Sequence, residues 1–309
     1  MGALSSASRP FIGIVTVLYD SDAVLPDFFA SLALQTDVRW RLYVIDNSAT
    51  DSGTSMSRAL AARHGVDAVC VFNGANVGVA RGNNQGIALA SADGCSHVLL
   101  SNNDTAFGPG TIAALLAALV AAGCAAATPK IMFHDRPSVL WYGGGHIARW
   151  TMRNPHHGEG EIDRGQFDEQ GFTGYAPTCF MLIDRSVFDV VGLMDERYFV
   201  YYDDTDFVMR LHAGGLRLLY VPSSVVLHKV SSSTGGSLSP FTVYYTNRNR
   251  IYLVLKNLRG LQRIVALSYL LTTRAPRLMA MPATSRDAGW RGVRDGFGLF
   301  AQARREARR

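Results

Sequence analysis

The chain has 309 residues, 48% hydrophobic and 18% charged, which excludes a disordered protein and leaves room for one large domain, alone or with an appendage. Its net charge of +5 conceals a split: residues 244–309 carry 14 Lys and Arg against 3 Asp and Glu, a net of +11, and residues 1–243 a net of −6. An acidic body with a basic tail points to an anionic surface as partner, a membrane or a nucleic acid.

The elements follow in chain order. Residues 1–10 are polar, without the apolar run of a signal peptide. "FIGIVTVLY" (11–19) reads as a buried strand, and "LPDFFASLALQT" (25–36) as a helix with Leu25, Phe28, Phe29 and Leu32 on one face. "RLYVIDNS" (41–48) is a second strand ending in a turn-forming cluster, and "MSRALAARHG" (56–65) a helix closed by glycine. "AVCVFNG" (68–74) is a third strand, and "GVARGNNQGIALASA" (78–92) a Gly-rich start that becomes a helix. "HVLLSNND" (97–104) is the fourth strand, followed by the helix "PGTIAALLAALVAAG" (109–123). The most apolar run, residues 112–127, is interrupted by Gly123 and falls short of the ~20 residues of a membrane span.

Four β-α units in a row predict an open, largely parallel sheet with helices on both faces. Beyond residue 130 the alternation breaks. A loop-rich stretch leads to a strand at "CFMLID" (179–184), a helix at 201–215, two short strands around Pro222 and a helical, basic region from 244. The cysteines Cys70, Cys95, Cys124 and Cys179 have no metal-like spacing and read as small buried hydrophobes in a reducing compartment.

Three strand ends carry polar side chains: Tyr19-Asp20, Asp46-Asn47 and Asn102-Asn103-Asp104. Ligands of open sheets bind outside the carboxyl ends of the strands, so these residues share one rim. Asp104 with Asn102 offers hard oxygens suited to Mg2+ or Mn2+, with a diphosphate completing the coordination; an ordinary Asn/Asp turn explains the fragment equally well. Asp203, Asp204 and Asp206 crowd into four positions, where burial raises the pKa of at least one and suits it to general-base work. Helical spacing places Asp203 and Asp206 on one face and Asp204 on another; an acidic helix start is the competing reading. His228 closes an apolar strand before the loop "VSSSTGGS" and reads as structural unless it faces Asp104 across the rim. In "NVGVARGNNQG" (76–86) Arg81 can meet a phosphate and Asn84 the nucleotide, or the glycines can serve helix–strand packing. His156-His157 lies in a Gly/Pro-rich loop and is given no role.

In this order, "IVTVLYDS", "LYVIDNSATD", "NGANVGVARGNNQGI", "LLSNNDT", "DERYFVYYDDTDFVMRLHAGG" and "YVPSSVVLHKVSSSTGG" resemble family 2 glycosyltransferases of the GT-A fold, over about residues 10–255. The nearest look is to the bacterial rhamnosyltransferase-like branch, which includes enzymes using dTDP-rhamnose and relatives using UDP-galactofuranose. The resemblance implies a Rossmann-like, mostly parallel sheet flanked by helices. Its catalytic domain is 1–243, with a nucleotide-sugar half at about 10–130 and an acceptor half at about 131–243, and 244–309 is a helical C-terminal region. It also implies an inverting, metal-dependent transfer to a polysaccharide or lipid-linked saccharide, with Asp204 as the base and Asp104 and His228 as ligands of Mg2+ or Mn2+. Tyr19, Asp46, Arg81, Asn84, Asn102 and Asn103 would serve the nucleotide-sugar. Two departures stand out. Asn102 replaces the first Asp of the family's D-x-D, and Thr16 stands at the further of two usual spacings from the Tyr.

The tail, "YYTNRNRIYLVLKNLRGLQRIVALSYLLTTRAPRLMAM" (244–281), mixes cations with Leu, Ile and Tyr. It suits a helix on an anionic membrane face, hence a cytoplasmic enzyme peripheral on the inner leaflet, or helices packed on the catalytic domain or in a homodimer. No nucleic-acid module accompanies it. The readings from other classes are a nucleotidyltransferase, whose Gly-rich basic loop after the first strand is missing, and a non-catalytic sugar-binding protein.

Overall fold

The computed structural model describes residues 10–230 and 238–308; residues 1–9, most of the "VSSSTGGS" loop (231–237) and residue 309 lie outside the described residues. The chain begins with alternating elements. β1 (Phe11–Leu18) leads to α1 (Leu25–Ala33), β2 (Arg39–Asp46), α2 (Ser52–His64), β3 (Ala68–Phe72) and α3 (Val79–Ala92). β4 (His97–Ser101), the short β5 (Thr105–Phe107) and α4 (Thr111–Ala122) follow. The second half comprises β6 (Ala126–Phe133), β7 (Leu140–Tyr142), β8 (Gly171–Phe172), β9 (Phe180–Asp184), α5 (Ser186–Val191), α6 (Asp203–Ala213) and β10 (Leu218–His228). Three helices end the chain: α7 (Pro240–Asn257), α8 (Gly260–Met279) and α9 (Ala283–Glu306).

The sheet runs β3-β2-β1-β4-β9-β6-β10-β5, with β7 paired to β6 and β8 to β10. Its first four strands are parallel, as the β-α alternation predicts, so their carboxyl ends meet at one edge. Beyond β4 the sheet is mixed: β9 is antiparallel to both β4 and β6, while β6 and β10 are parallel. Pro222 does not split two strands as expected. β10 is continuous, and its pairing with β6 shifts register between Val221 and Val225, a bulge that accommodates the missing N–H. Ile14, Leu42, Leu99 and Leu182 are fully buried in the layer between sheet and helices, and Leu25, Phe28, Phe29 and Leu32 fill the buried face of α1.

A second apolar cluster joins α7, α8 and α9 to the body through Tyr198, Ile251, Tyr252, Leu255, Ala266, Leu270 and Val293. Beneath it lies a polar lock. The fully buried Asp206 accepts from Tyr198 Oη, Arg210 Nε and Asn257 Nδ2 and pairs with Lys256 at 2.8 Å; Lys256 also pairs with Asp195 at 2.7 Å.

α7 also grips the segment that leads into α6. Phe199 (φ 66°, ψ −60°) centres a γ-turn of the strained hand, with Val200 N–H donating to the Tyr198 carbonyl at 2.8 Å. Tyr201 and Tyr202 follow at φ 64° and 66°. Such backbone costs about 1–3 kcal/mol per residue and persists where neighbours over-determine it. Buried Asn249 does so: its Nδ2 donates to the carbonyls of Tyr198, Val200 and Tyr201 at 2.8, 2.6 and 2.9 Å. From the other side Val79 N–H donates to the Phe199 carbonyl, and a Cβ at Gly78 would stand 2.6 Å from the Phe199 ring, so only glycine fits there. Removing the amide with Asn249→Ala leaves buried carbonyls unsatisfied; we expect a loss of about 1–3 kcal/mol, measured as a lower urea midpoint.

Candidate active site

The strand ends and the strained turn enclose a cavity of about 400 Å3 lined by Tyr19, Asn47, Asp104, Asp203, Asp204 and His228, among others. The rim predicted from β1, β2 and β4 is thus one wall, and the start of α6 faces it.

His228 comes to Asp104 through strand pairing. β10 runs antiparallel to β5 with His228 opposite Thr105, and Lys229 N–H donates to the Asp104 carbonyl. The Asp104 Oδ1 and His228 Nε2 atoms stand 3.2 Å apart in a buried pair. Two adjacent ligands of an octahedral ion, with bonds of about 2.1 Å, stand about 3 Å apart, so the pair fits a shared divalent cation. Among the described residues no group of three or more His, Cys, Asp or Glu can hold a metal, so an ion bound by this pair would need its other ligands from elsewhere.

Asp203 and Asp204 both reach the cavity, and Asp206 points away into the α7 lock. This corrects the pairing of Asp203 with Asp206 by helical spacing: at the first turn of α6 the chain direction, set by the strained residues before it, decides what faces the cavity. Burial, with the Asp204 charge pushing the same way, raises Asp203 up to about 7. Burial raises Asp204 as well, but its anion is held by donors: Tyr175 Oη at 2.6 Å to Oδ2, and the Thr205 N–H and hydroxyl to Oδ1. Burial thus raises both carboxyls, and the donors around Asp204 oppose that rise on its side of the pair.

The other expected residues divide. Asn102 and Asn103 line the cavity, and the Asn103 amide also donates to the Val17 carbonyl and Ser21 Oγ. Asp46 is fully buried, accepting from Ser48 N–H and Thr54 Oγ1; its neighbour Asn47 faces the cavity. Arg81 and Asn84 are not brought to the cavity wall. Arg81 is exposed, 3.9 Å from Glu196, and the Asn84 amide is spent on the Met194 backbone and Glu196, tying α3 to the segment before the turn.

Two residues were missed. Tyr175, 2% exposed, orients the Asp204 carboxylate. His156 stacks on Tyr175, with ring centroids 5.8 Å apart, and meets Trp141 edge-on; the Trp141 ring also packs against His228. Its Nδ1–H donates to the Trp141 carbonyl. The signal for both was the density of aromatics and histidines in the 141–175 loop, which looked structureless.

The family model for glycosyl transferase family 2 matches residues 13–192. This chain belongs to glycosyltransferase family 2. It is 32% identical over 241 residues to the N-acetylglucosaminyl-diphospho-decaprenol L-rhamnosyltransferase of Mycobacterium tuberculosis, covering 72% of this chain and 77% of the relative. It is 24% identical over 221 residues to the dTDP-rhamnosyl transferase RfbF of Shigella flexneri, covering 69% and 70%. In fold, the transferase is similar to the mannosyltransferase PcManGT from Pyrobaculum calidifontis in complex with GDP-Man and Mn2+ (TM-score 0.56, 14% identity, 96% of this chain and 76% of that one). It is also similar to GalNAc-T7 with UDP, GalNAc and Mn2+ (TM-score 0.60, 14% identity, 80% and 48%). The protein is therefore a glycosyltransferase, and the nucleotidyltransferase and sugar-binding readings fall.

The Tyr175 hydroxyl favours the Asp204 anion, so Tyr175→Phe raises the pKa of the carboxylate pair. We expect the acid limb of kcat/KM against pH to move up by about one unit in the folded variant, with rates falling most at low pH. An unmoved limb would contradict Tyr175 as the orienting group.

Proposed function

We propose that the transferase is an inverting, metal-dependent rhamnosyltransferase. It moves L-rhamnose from dTDP-rhamnose to a saccharide acceptor carried on a lipid diphosphate, in the synthesis of a cell-wall or surface polysaccharide. The observation that carries the chemistry is one oriented carboxylate, Asp204, facing a carboxylate–imidazole pair, Asp104 and His228, across a single cavity. The names of the two relatives supply the sugar and the acceptor class.

An inverting transfer needs one displacement. Asp204 takes the proton of the acceptor hydroxyl as that oxygen attacks the anomeric carbon, and the bond to the donor diphosphate breaks on the opposite face. Asp104 and His228 hold Mg2+ or Mn2+, which when bound neutralises charge on the departing diphosphate. Tyr19 and Asn47 form the nucleoside end of the cavity, with Asp46 setting the turn that carries Asn47. Tyr175, itself braced by His156, fixes the aim of the base.

Asp204→Asn keeps the shape but removes the proton acceptor. Transfer should fall 10²–10⁴-fold, on the order of a positioned base, with dTDP affinity nearly unchanged. Asp104→Ala should instead weaken dTDP binding and abolish its dependence on Mn2+. A D204N rate within about threefold of wild type, or turnover that survives both EDTA and the Asp104→Ala change unaltered, would overturn these roles.

The acceptor's lipid places the enzyme at a membrane. No helix among the described residues is long and apolar enough to cross one. α8 instead exposes Leu261, Ile264, Val265, Leu271 and Met279 beside arginines, the composition of a helix lying on an anionic leaflet. With about 1 kcal/mol for each Lys or Arg near the surface, co-sedimentation with phosphatidylglycerol vesicles should be strong at low salt and fall as salt rises. Binding that is absent, or indifferent to salt, would refute the contact.

A further inference from the structure

Four arginines converge behind the base without an acidic partner. Arg250 on α7 is 5% exposed; one guanidinium nitrogen donates to the Thr151 carbonyl at 2.7 Å, and its Nε, though buried, meets no hydrogen-bond partner among the described residues. Arg274 on α8 is half-buried, and its Nε is likewise buried and unmet. Arg153 and Arg277 are the exposed members. Among the described residues none of the four forms an ion pair with a carboxylate. Burial pushes the Arg274 guanidinium below its usual range; Arg250, Arg277 and Arg153 push the same way, and Tyr202 opposes them.

A buried guanidinium without a counter-charge costs several kcal/mol, and proteins ordinarily pair it. Here the chain supplies cations from three elements and no anion, an arrangement an incoming oxyanion completes. Arginine's planar fork suits phosphate oxygens in particular.

The position is specific. Tyr202, beside Arg274, stands two residues before Asp204. Arg153 precedes Asn154, whose Nδ2 donates to Thr205 Oγ1, and that hydroxyl donates to Asp204 Oδ1. These links set the cluster beside the first turn of α6, and none of its arginines lines the cavity that holds the Asp104–His228 pair. We propose that Arg153, Arg250, Arg274 and Arg277 form an acceptor-diphosphate site, which seats the diphosphate linking the acceptor saccharide to its lipid while the sugar hydroxyl meets Asp204. This rests on the reading above that the acceptor is carried on a lipid diphosphate.

The test uses the full-length enzyme and Arg274→Gln, with the exposed Arg277→Gln as a second variant and unchanged thermal melting as the folding control. Calorimetric titration with inorganic pyrophosphate in EDTA should show affinity lower by about tenfold in R274Q and several-fold in R277Q, since each removes a charge-assisted contact. Equal affinity in all three proteins would overturn the site. Kinetically, R274Q should raise KM by about tenfold for a diphosphate-linked saccharide and leave KM for the same saccharide as a neutral alkyl glycoside unchanged. An equal loss on both acceptors would mean a structural role and would also overturn it. Should R274Q lose only binding to phosphatidylglycerol vesicles, with the pyrophosphate and acceptor arms unmoved, the cluster serves a lipid headgroup and the acceptor assignment is wrong. The pyrophosphate arm needs neither dTDP-rhamnose nor turnover, so a failure of the donor assignment leaves it readable.

Discussion

One buried amide governs the geometry of this enzyme. Asn249 holds three carbonyls of a segment whose backbone is strained at Phe199, Tyr201 and Tyr202. Released, that segment would relax toward ordinary φ values, and the first turn of α6 would rotate with it. Asp203 and Asp204 face the cavity from the first turn that follows this held segment. The grip extends across the cavity: Gly78, pressed against Phe199, is bonded through its carbonyl to Asn47 at the end of β2. The proposed nucleotide wall and the proposed base are thus linked by a short run of contacts.

The same constraint explains why α7 belongs to the active site although none of its charges touches the cavity. Lys256 bridges Asp195 and Asp206, which flank the strained segment on either side. Two acidic residues of the cluster-rich region are consumed in anchoring the helix that shapes the site. The remaining two, Asp203 and Asp204, reach the cavity, and Asp204 is oriented by the donors around it. Burial raises both, and the Tyr175 and Thr205 donors oppose the rise at Asp204.

Much of this was legible in the chain. Periodicity located β1 to β4 and their helices because a parallel sheet covered on both faces leaves unbroken apolar runs. The rule that ligands meet strand ends then placed Tyr19, Asn102 and Asp104 on one wall. His228 lies far from Asp104 in sequence, and only the antiparallel β5–β10 pairing, invisible to local pattern, unites them. The side-chain directions of Asp203, Asp204 and Asp206 were unreadable because they follow from positive φ values in aromatic residues, which propensity argues against. His156 and Tyr175 belong to a loop organised by tertiary contacts alone. The arginine cluster escaped for another reason: net charge locates a basic tail but does not say which cations lack partners.

The central claim is that a single base, Asp204, drives one direct displacement. The stereochemistry of the bond tests it without mutation. Proton NMR of the disaccharide product, recorded before any mutarotation or hydrolysis, reports the configuration at the transferred sugar's anomeric carbon. Our account predicts the configuration opposite to that of the nucleotide-linked donor. A product that retains the donor's configuration would require a second displacement or a front-face attack, neither of which an Asp204 base provides, and would contradict it.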